Sequence, residues 1–307
     1  MNEKNKLTRK EFLKKSSAAV LGLGVLGLDP TKAGGKKTPQ AALDMRVLGR
    51  TKIKVSPLGF GASRTMEPAL VQAALDAGIN FLDSGRSYFR GQNEIMVGKV
   101  ITGIRKNVVI QSKLRVNFQG EEGSGSQENV KETLVNMTSS LEESLKALGT
   151  DYIDIMLIHG ASSVEVAYHE AVLEFFSSLK KKGIIRAHGF SSHTNQIKML
   201  QGANQNPFYD VIMVPYNHKG SYVHSNSGNY SEWDQPALEI EMAKLKKSGI
   251  GLIAMKTCSG GPYAPENDTQ PSFDKALRWI LEQNKVHTLA VAMGNFQQIE
   301  ENLRALA

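Results

Sequence analysis

The most constraining feature of this sequence is an alternation of short apolar runs with longer amphipathic stretches, repeated eight times between residue 45 and the C-terminus. The apolar runs are continuous and rich in Val, Ile and Leu, which is typical of β-strands covered on both faces. They occupy residues 56–60, 80–83, 108–113, 152–160, 184–191, 210–216, 249–257 and 287–294. The alternation therefore predicts a parallel sheet in which a helix follows each strand.

The length of this region selects between two α/β architectures. Residues 45–307 suit a single (β/α)₈ TIM barrel, which takes about 250 residues. A doubly wound sheet is the alternative, but it would carry a glycine-rich turn after its first strand, and GFGAS at 59–63 is too short a match. The chain around Gly49 predicts a short hairpin ahead of the first strand. Helices are predicted at 69–78, 93–101, 128–148, 164–182, 194–202, 236–248, 272–284 and 297–305.

The net charge of +7 is carried almost entirely by the N-terminus. Residues 1–37 contain nine Lys or Arg and three acidic residues, whereas the rest of the chain contains 28 basic and 27 acidic residues. A nearly neutral main domain argues against a basic nucleic-acid-binding domain. The single cysteine, Cys258, excludes an intramolecular disulfide framework and any cysteine-rich zinc site, and we expect no metal site.

The first 42 residues have the layout of an export signal followed by a linker. A basic segment precedes a weakly apolar stretch at 16–28, which is too short to span a bilayer. TRKEFLK at 8–14 resembles the twin-arginine export motif, with Lys10 in place of the second arginine. We therefore expect a signal peptide at 1–42, a barrel domain at 43–307 and a periplasmic protein with no membrane span in its mature chain. The alternative is a cytoplasmic protein with a disordered or amphipathic tail.

Four polar residues lie at or just after the ends of three consecutive predicted strands. Asp83 ends the second strand, Tyr88 follows it, Lys113 ends the third and His159 ends the fourth. In a barrel of this kind, the carboxyl ends of the strands form the active site. Because all four side chains can exchange protons or hold a charged partner, their convergence on one rim predicts a catalytic site.

These residues lie in motifs that resemble the aldo-keto reductase family over nearly all of 45–307. The matching segments are FLDSGRSY with Glu94 and Gly98 downstream, QSKL, EESLKALGTDYIDIMLIHG, GFSSH, VPYN and IEENL, of which LGTDYIDIMLIH is the most specific. The resemblance implies an NAD(P)H-dependent oxidoreductase that reduces an aldehyde or ketone, or oxidises the corresponding alcohol. It also implies a catalytic tetrad of Asp83, Tyr88, Lys113 and His159.

The chemistry of carbonyl reduction explains this choice of residues. Hydride transfer from a nicotinamide leaves charge on the substrate oxygen, which needs a proton donor, and Tyr88 is the expected general acid. We expect the Lys113 ammonium to lower the pKa of Tyr88 from its ordinary value near 10. Asp83 would hold Lys113 in place, and His159 would orient the substrate oxygen.

The resemblance also places the cofactor, although several positions depart from the family pattern. Ser191 and Ser192 stand where two polar side chains hold the nicotinamide carboxamide, the second usually being Asn. Met213 replaces a Gln, and Met255 or Lys256 stands where an aromatic ring commonly stacks on the nicotinamide. A thioether can still pack on that ring. The glycine-rich loop Ser259, Gly260 and Gly261 would let backbone amides approach the pyrophosphate, or it is a plain turn.

The last segment would hold the adenine through Glu301 and Asn302. Gln298 occupies the position of the Arg that commonly binds the 2′-phosphate, so NADP(H) is the expected cofactor and NAD(H) the alternative. Loops 115–127 and 217–235 would shape the substrate pocket, and the aromatic residues of the second loop suit sugar-like or aromatic carbonyl compounds. Two other functions remain open, namely a non-catalytic nicotinamide-nucleotide-binding barrel that serves as a sensor or partner subunit, and a barrel with non-redox chemistry.

Overall fold

A computed structural model of the chain describes residues 43–118, 126–224 and 228–307. The predicted export signal lies outside these residues. Eight parallel strands close into a barrel. Each strand pairs with the next along the chain, and the eighth strand pairs with the first. These strands are β3 (Leu58–Gly61), β4 (Phe81–Asp83), β5 (Val109–Leu114), β6 (Ile153–Ile158), β7 (Ile185–Ser191), β8 (Val211–Pro215), β11 (Gly251–Met255) and β12 (Thr288–Ala292). The predicted (β/α)₈ barrel is confirmed.

Helices surround the barrel, and short 3₁₀ turns join several elements. The helices are α1 (Pro68–Asp76), α2 (Gln92–Ile101), α3 (Gln127–Leu148), α4 (Val164–Ala167), α5 (Glu170–Lys181), α6 (Gln196–Gln205), α7 (Gln235–Lys247), α8 (Phe273–Glu282) and α9 (Phe296–Leu303). The 3₁₀ turns are Gly49–Thr51, Ala62–Arg64, Tyr88–Gly91, Arg105–Asn107 and Arg304–Leu306. Among the described residues, no helix has the length and apolar character that a membrane span requires.

Alternate residues of each barrel strand face two different cores. In β6, for example, Ile155 and Leu157 join a cluster inside the barrel, whereas Met156 and Ile158 join the larger core between the strands and the helices. This follows from the two-residue period of a strand, which sends successive side chains to opposite faces. Both faces are covered, so the strands are continuous apolar runs in the sequence.

The amino end of the barrel is closed by the predicted hairpin, formed by β1 (Arg46–Val47) and β2 (Lys54–Val55). Leu48, Ile53 and Val55 are buried in the same cluster as the inward-facing strand residues. Arg50 at the hairpin tip donates hydrogen bonds to the carbonyl oxygens of residues 207–209 and, through its Nε, to Asp210 at 3.4 Å. The site must therefore open at the other end of the barrel.

Two elements differ from the sequence expectation. The helix predicted at 164–182 is broken into α4 and α5, because the His169 side chain accepts a hydrogen bond from the backbone amide of Ala171 and so caps a new helix. The loop at 217–235 contains a second antiparallel hairpin that was not predicted, formed by β9 (Ser221–Val223) and β10 (Tyr230–Glu232).

Candidate active site

The four predicted catalytic residues come together at the carboxyl end of the barrel. Asp83 is the last residue of β4, Lys113 lies near the end of β5, His159 directly follows β6, and Tyr88 begins a 3₁₀ turn after β4. The Lys113 ammonium donates hydrogen bonds to the Asp83 carboxylate, to the backbone oxygen of Ser84 at 2.7 Å and to the Tyr88 hydroxyl at 3.0 Å. The Tyr88 and His159 rings meet edge to face with centroids 5.9 Å apart.

Asp83 and Lys113 form a buried ion pair beneath the tyrosine. Burial alone would lower the pKa of Lys113, but the negative charge of Asp83 and the hydrogen-bonded Tyr88 outweigh it and raise that pKa. Lys113 is therefore a fixed positive charge. Gln111, two residues earlier on β5, donates a second hydrogen bond of 2.6 Å to the same Asp83 oxygen and so helps to orient the carboxylate.

Lys113 lowers the pKa of Tyr88 as expected, but the pKa nevertheless lies above its ordinary value near 10. Burial of the phenol raises the pKa above its ordinary value, and the nearby Asp83 charge raises it further. Lys113 opposes both effects through its charge and its hydrogen bond, but it does not outweigh them. Tyr88 is consequently protonated at neutral pH, which is the form that a proton donor needs.

His159 is a neutral imidazole. Burial lowers its pKa to about 3, and the positive charges of Lys113 and Arg115 act in the same direction. The Ser87 hydroxyl lies 3.2 Å from the His159 Nδ1 atom. If Ser87 donates this hydrogen bond, the imidazole proton resides on Nε2, where it can be donated to a substrate oxygen.

The two serines expected to hold the nicotinamide are both buried at the end of β7. The Ser191 hydroxyl accepts a hydrogen bond from the amide of Gly160 at 3.0 Å and lies 3.3 Å from the oxygen of Ile158. The Ser192 hydroxyl donates to the oxygen of Thr194 at 2.6 Å. In this arrangement each hydroxyl gives its proton to a backbone oxygen and keeps acceptor capacity for the N–H group of a carboxamide.

The two predicted methionines line the inside of the barrel, where both are buried. Met213 contacts the tetrad indirectly, because its sulfur accepts a hydrogen bond from the Gln111 amide at 3.4 Å. Met255 ends β11 and is slightly more accessible than Met213, at 6% against 2% exposed. Of the two, Met255 is better placed to present a thioether to a flat ring at the barrel mouth.

The loop after β11 fits the close approach of a phosphate group. A side chain at Gly260 would come within 2.9 Å of the Asn217 amide oxygen, so the backbone and Asn217 are already packed together there. Gly261 has a positive φ of 84°, and a Cβ built on it would meet nothing within 4 Å. Ser259 is exposed beside them. The loop therefore leaves one side of its backbone open, as a pyrophosphate site requires.

The residues expected to contact adenine lie on α9. Asn302 is buried at 4% exposure, and Glu301 is half-buried. Gln298, which stands where a phosphate-binding Arg is common, accepts a hydrogen bond from the amide of Gly294 at 2.7 Å. Gln298 therefore stabilises the turn before α9 in this structure.

Sequence reasoning missed Arg64 and His193 as site residues at the barrel mouth, and it considered Lys256 only as the alternative to Met255. Lys256 follows β11 with a left-handed φ of 57°, and its ammonium lies 5.1 Å from the centroid of the Tyr222 ring. Burial lowers the pKa of Lys256, and the positive charge of Arg64 lowers it further. The His193 ring faces the His159 ring at 6.4 Å. Lys256 and His193 also follow strand ends, so the rule that found the tetrad could have found them.

The charges of Lys256 and Arg64 are not neutralised within the part of the chain that the structure describes, because neither side chain lies within ion-pair distance of an acidic side chain there. Two cations beside an open glycine-rich loop favour an anionic ligand. In the same described ranges, no group of three or more His, Cys, Asp or Glu side chains is arranged to hold a metal ion.

Comparison with known proteins agrees with this geometry. The sequence profile of the Aldo/keto reductase family matches residues 60–276, so the chain belongs to that family. The chain is 26% identical over 286 residues to the uncharacterized oxidoreductase YqkF of Bacillus subtilis, with 85% of this chain and 90% of YqkF aligned. It is 27% identical over 304 residues to L-galactose dehydrogenase of Arabidopsis thaliana, with 86% and 88% aligned. The predicted class of enzyme, an aldo-keto reductase, is confirmed.

Solved structures show the same fold. An aldo-keto reductase of Bacillus halodurans in its holo form superposes with a TM-score of 0.66 at 23% identity, covering 86% of this chain and 91% of that one. An aldo/keto reductase of Klebsiella pneumoniae in complex with NADP and acetate superposes with a TM-score of 0.61 at 19% identity, covering 85% and 89%.

Proposed function

We propose that this protein catalyses the NADP(H)-dependent reduction of a small aldehyde or ketone, or the reverse oxidation of its alcohol, with Tyr88 as the general acid. The observation that carries the proposal is the hydrogen bond between the buried Lys113 ammonium and the Tyr88 hydroxyl, beside a neutral His159. This arrangement presents a proton donor and a hydrogen-bond donor to one point at the mouth of the barrel.

Each side chain has a distinct part in this chemistry. Tyr88 donates its proton to the substrate oxygen, and the Lys113 ammonium stabilises the phenolate that is left. Asp83 keeps Lys113 charged and in position through their ion pair. His159 donates a hydrogen bond to the same substrate oxygen and fixes its distance from Tyr88. The cofactor, when bound, supplies the hydride.

The cofactor would lie across the centre of the barrel mouth. Met255 would pack on the nicotinamide, and Ser191 and Ser192 would hold its carboxamide. Lys256, Arg64 and the loop Ser259–Gly261 would bind the phosphates, while Glu301 and Asn302 would contact the adenine. The cations of Lys256 and Arg64, which have no ion-pair partner among the described residues, support a phosphate-rich ligand. NADP is preferred over NAD because the Klebsiella pneumoniae protein of the same fold was solved with NADP.

Substitution of Tyr88 by Phe tests the proposal. We expect Tyr88→Phe to bind NADPH as the wild type does, because the hydroxyl belongs to the reacting end of the site. Turnover of generic aldehydes should fall by about 10²- to 10⁴-fold, the contribution expected of a general acid. Binding is measured by fluorescence titration with NADPH and NADH, and turnover by NADPH oxidation.

Tyr152→Phe is the matched control, because Tyr152 precedes β6 at the opposite end of the barrel. Near-normal turnover in Tyr88→Phe would overturn the assignment of the general acid. Stoichiometric binding of NADPH by a wild type that reduces none of a broad panel of aldehydes, ketones and sugars would identify a nucleotide-binding protein instead.

We propose further that residues 1–42 direct export of the barrel domain, 43–307, to the periplasm by a twin-arginine-like route. The concentration of basic residues before a weakly apolar stretch supports this. Cell fractionation of the full chain, beside a chain that lacks residues 1–42, tests it. Retention of the full chain in the cytoplasm would overturn the proposal.

A further inference from the structure

A network of buried polar side chains lies directly behind the tetrad, on the outer face of the barrel. Lys113 and Ser112 are adjacent on β5, so their side chains point to opposite faces of the sheet. Lys113 faces the interior and bonds Tyr88, whereas the Ser112 hydroxyl donates a hydrogen bond of 2.6 Å to Glu94 on α2. The backbone of β5 at Lys113, which bonds Tyr88, is thus linked to α2 through the neighbouring Ser112.

Glu94 is completely buried, and its second carboxylate oxygen accepts a hydrogen bond of 2.6 Å from the Arg86 guanidinium. Arg86 lies in the segment 84–88, which joins Asp83 to Tyr88. Its backbone amide also donates to the oxygen of Lys113 at 3.3 Å. The Arg86 side chain therefore connects this segment to α2, and the Arg86 backbone amide connects it to β5, the strand that carries Lys113.

The backbone after Tyr88 is strained. Phe89 and Arg90 both have left-handed conformations, with φ of 49° and 53°, which residues with side chains rarely adopt. Gly91 follows with φ of 86°, and a Cβ there would overlap the Arg86 guanidinium. Such a turn persists only where its surroundings hold it, and the guanidinium is packed directly against it.

We propose that Arg86 and Glu94, with Ser112, form a positioning unit that keeps the Tyr88 hydroxyl within hydrogen-bond distance of Lys113. The unit lies on the helical side of β5, opposite the face that carries Lys113. The inference rests on the proposed function, in which Tyr88 donates the proton. A displacement of about 1 Å in a reacting group costs on the order of a hundredfold in rate, so a loosened turn should be detected in kcat.

Glu94→Gln is the first test, because it keeps the shape of the side chain and removes the buried charge that binds Arg86, leaving only the exposed Glu143 as its ion-pair partner at 3.4 Å. We expect kcat to fall by about tenfold to a hundredfold, with little change in the KM for the aldehyde. Glu94→Asp, which keeps the charge, should recover part of the loss. Arg86→Met is the second variant, because Arg86 is partly exposed and its loss still leaves Ser112 bonded to Glu94.

The matched control is Arg186→Met. Arg186 forms a 2.5 Å ion pair with the buried Asp154 near the start of β6, away from the mouth, and Asp154 retains Arg105 as a partner. The control should lower thermal stability and leave kcat within about twofold of wild type, since neither group contacts the site.

A double-mutant cycle separates positioning from general stability. If Glu94 acts through Tyr88, Glu94→Gln should have no further effect on the residual rate of Tyr88→Phe. Equal fractional losses in both backgrounds would overturn the inference. So would a Glu94→Gln protein that melts earlier than wild type but keeps its kcat.

A spectroscopic measurement decides the inference without activity. In protein labelled with ¹³C at the tyrosine ring carbon that bears the hydroxyl, the Tyr88 signal is the one that Tyr88→Phe removes. We expect this signal to shift or broaden in Glu94→Gln and to stay unchanged in Arg186→Met. An unchanged Tyr88 signal in Glu94→Gln would overturn the positioning role. A shifted signal in Glu94→Gln, together with a wild type that turns over no carbonyl substrate, would overturn the proposed function alone.

Discussion

The protonation of one phenol and one imidazole sets the pH range in which this site can work. Tyr88 keeps its proton because burial raises its pKa, and His159 stays neutral because burial lowers its pKa to about 3. Both groups are therefore in the form required for reduction at neutral pH. Oxidation of an alcohol needs the opposite form of Tyr88, the phenolate.

The two directions of the reaction should therefore differ in pH dependence. We expect kcat/KM for reduction to be flat through the range in which an ordinary histidine titrates, near 6.5, and to fall only as the pH rises through the raised pKa of Tyr88. For oxidation, kcat/KM should rise with pH up to the same pKa. The measurement is a pH profile in each direction with NADPH and NADP⁺. A fall in the reduction rate at near-neutral pH would contradict the assignment.

For single residues, the sequence predicted which side chains lie together in the tetrad. It did not predict hydrogen bonds to the backbone or the effect of burial on a pKa. Strand-end positions alone brought Asp83, Tyr88, Lys113 and His159 together. They could not reveal that the hydroxyls of Ser191 and Ser192 satisfy nearby backbone groups, or that burial outweighs Lys113 at Tyr88. Those outcomes depend on desolvation and on local hydrogen bonds, which need coordinates.

At the scale of elements, close contact between helices depends on glycines in helical positions. In α2, a Cβ on Gly98 would lie 2.5 Å from the oxygen of Ala147 and 2.8 Å from the Cα of Leu148, so backbone meets backbone where α2 crosses α3. In α6, a Cβ on Gly202 would lie 2.8 Å from a methyl group of Val164. A side chain can move aside more easily than a backbone.

Alanine at these two glycines should have different effects. Both substitutions gain about 1 kcal/mol from helix propensity. Gly98→Ala should nevertheless lower the free energy of unfolding by about 1–3 kcal/mol through overpacking, whereas Gly202→Ala should be close to neutral because Val164 can adjust. Urea denaturation of both variants beside wild type measures this. Equal stabilities would show that α2 can shift away from α3.

The limits of sequence reasoning at this scale are visible in α4 and α5. Helical periodicity continues through 164–182, but the His169 cap breaks the helix there. The hairpin β9–β10 has strands of only three residues, too short for alternation to be read within a loop rich in Gly, Ser and Asn. The barrel strands were predicted well because a strand buried on both faces is a continuous run of apolar residues in the sequence.

For the whole molecule, the interior of the barrel is one cluster that includes the N-terminal hairpin. Ile53→Ala should therefore destabilise the entire domain by about 2–5 kcal/mol, the cost of a cavity in a packed core. Val223→Ala, at a 57% exposed position of β9, should change stability by less than about 0.5 kcal/mol. Chemical denaturation followed by circular dichroism and by tryptophan fluorescence measures both. A separate early transition in Ile53→Ala would show that the hairpin unfolds independently of the barrel.

The hairpin has a further consequence for the orientation of the protein. The described chain begins at residue 43 beside this closed end, where Leu43 lies next to Gly78 just before β4. The catalytic rim is at the other end of every strand. A protein attached to a solid support directly at residue 43 would therefore turn its closed end to the support and its mouth to the solution. An electrode or resin loaded in this way should keep the site accessible to substrate and cofactor.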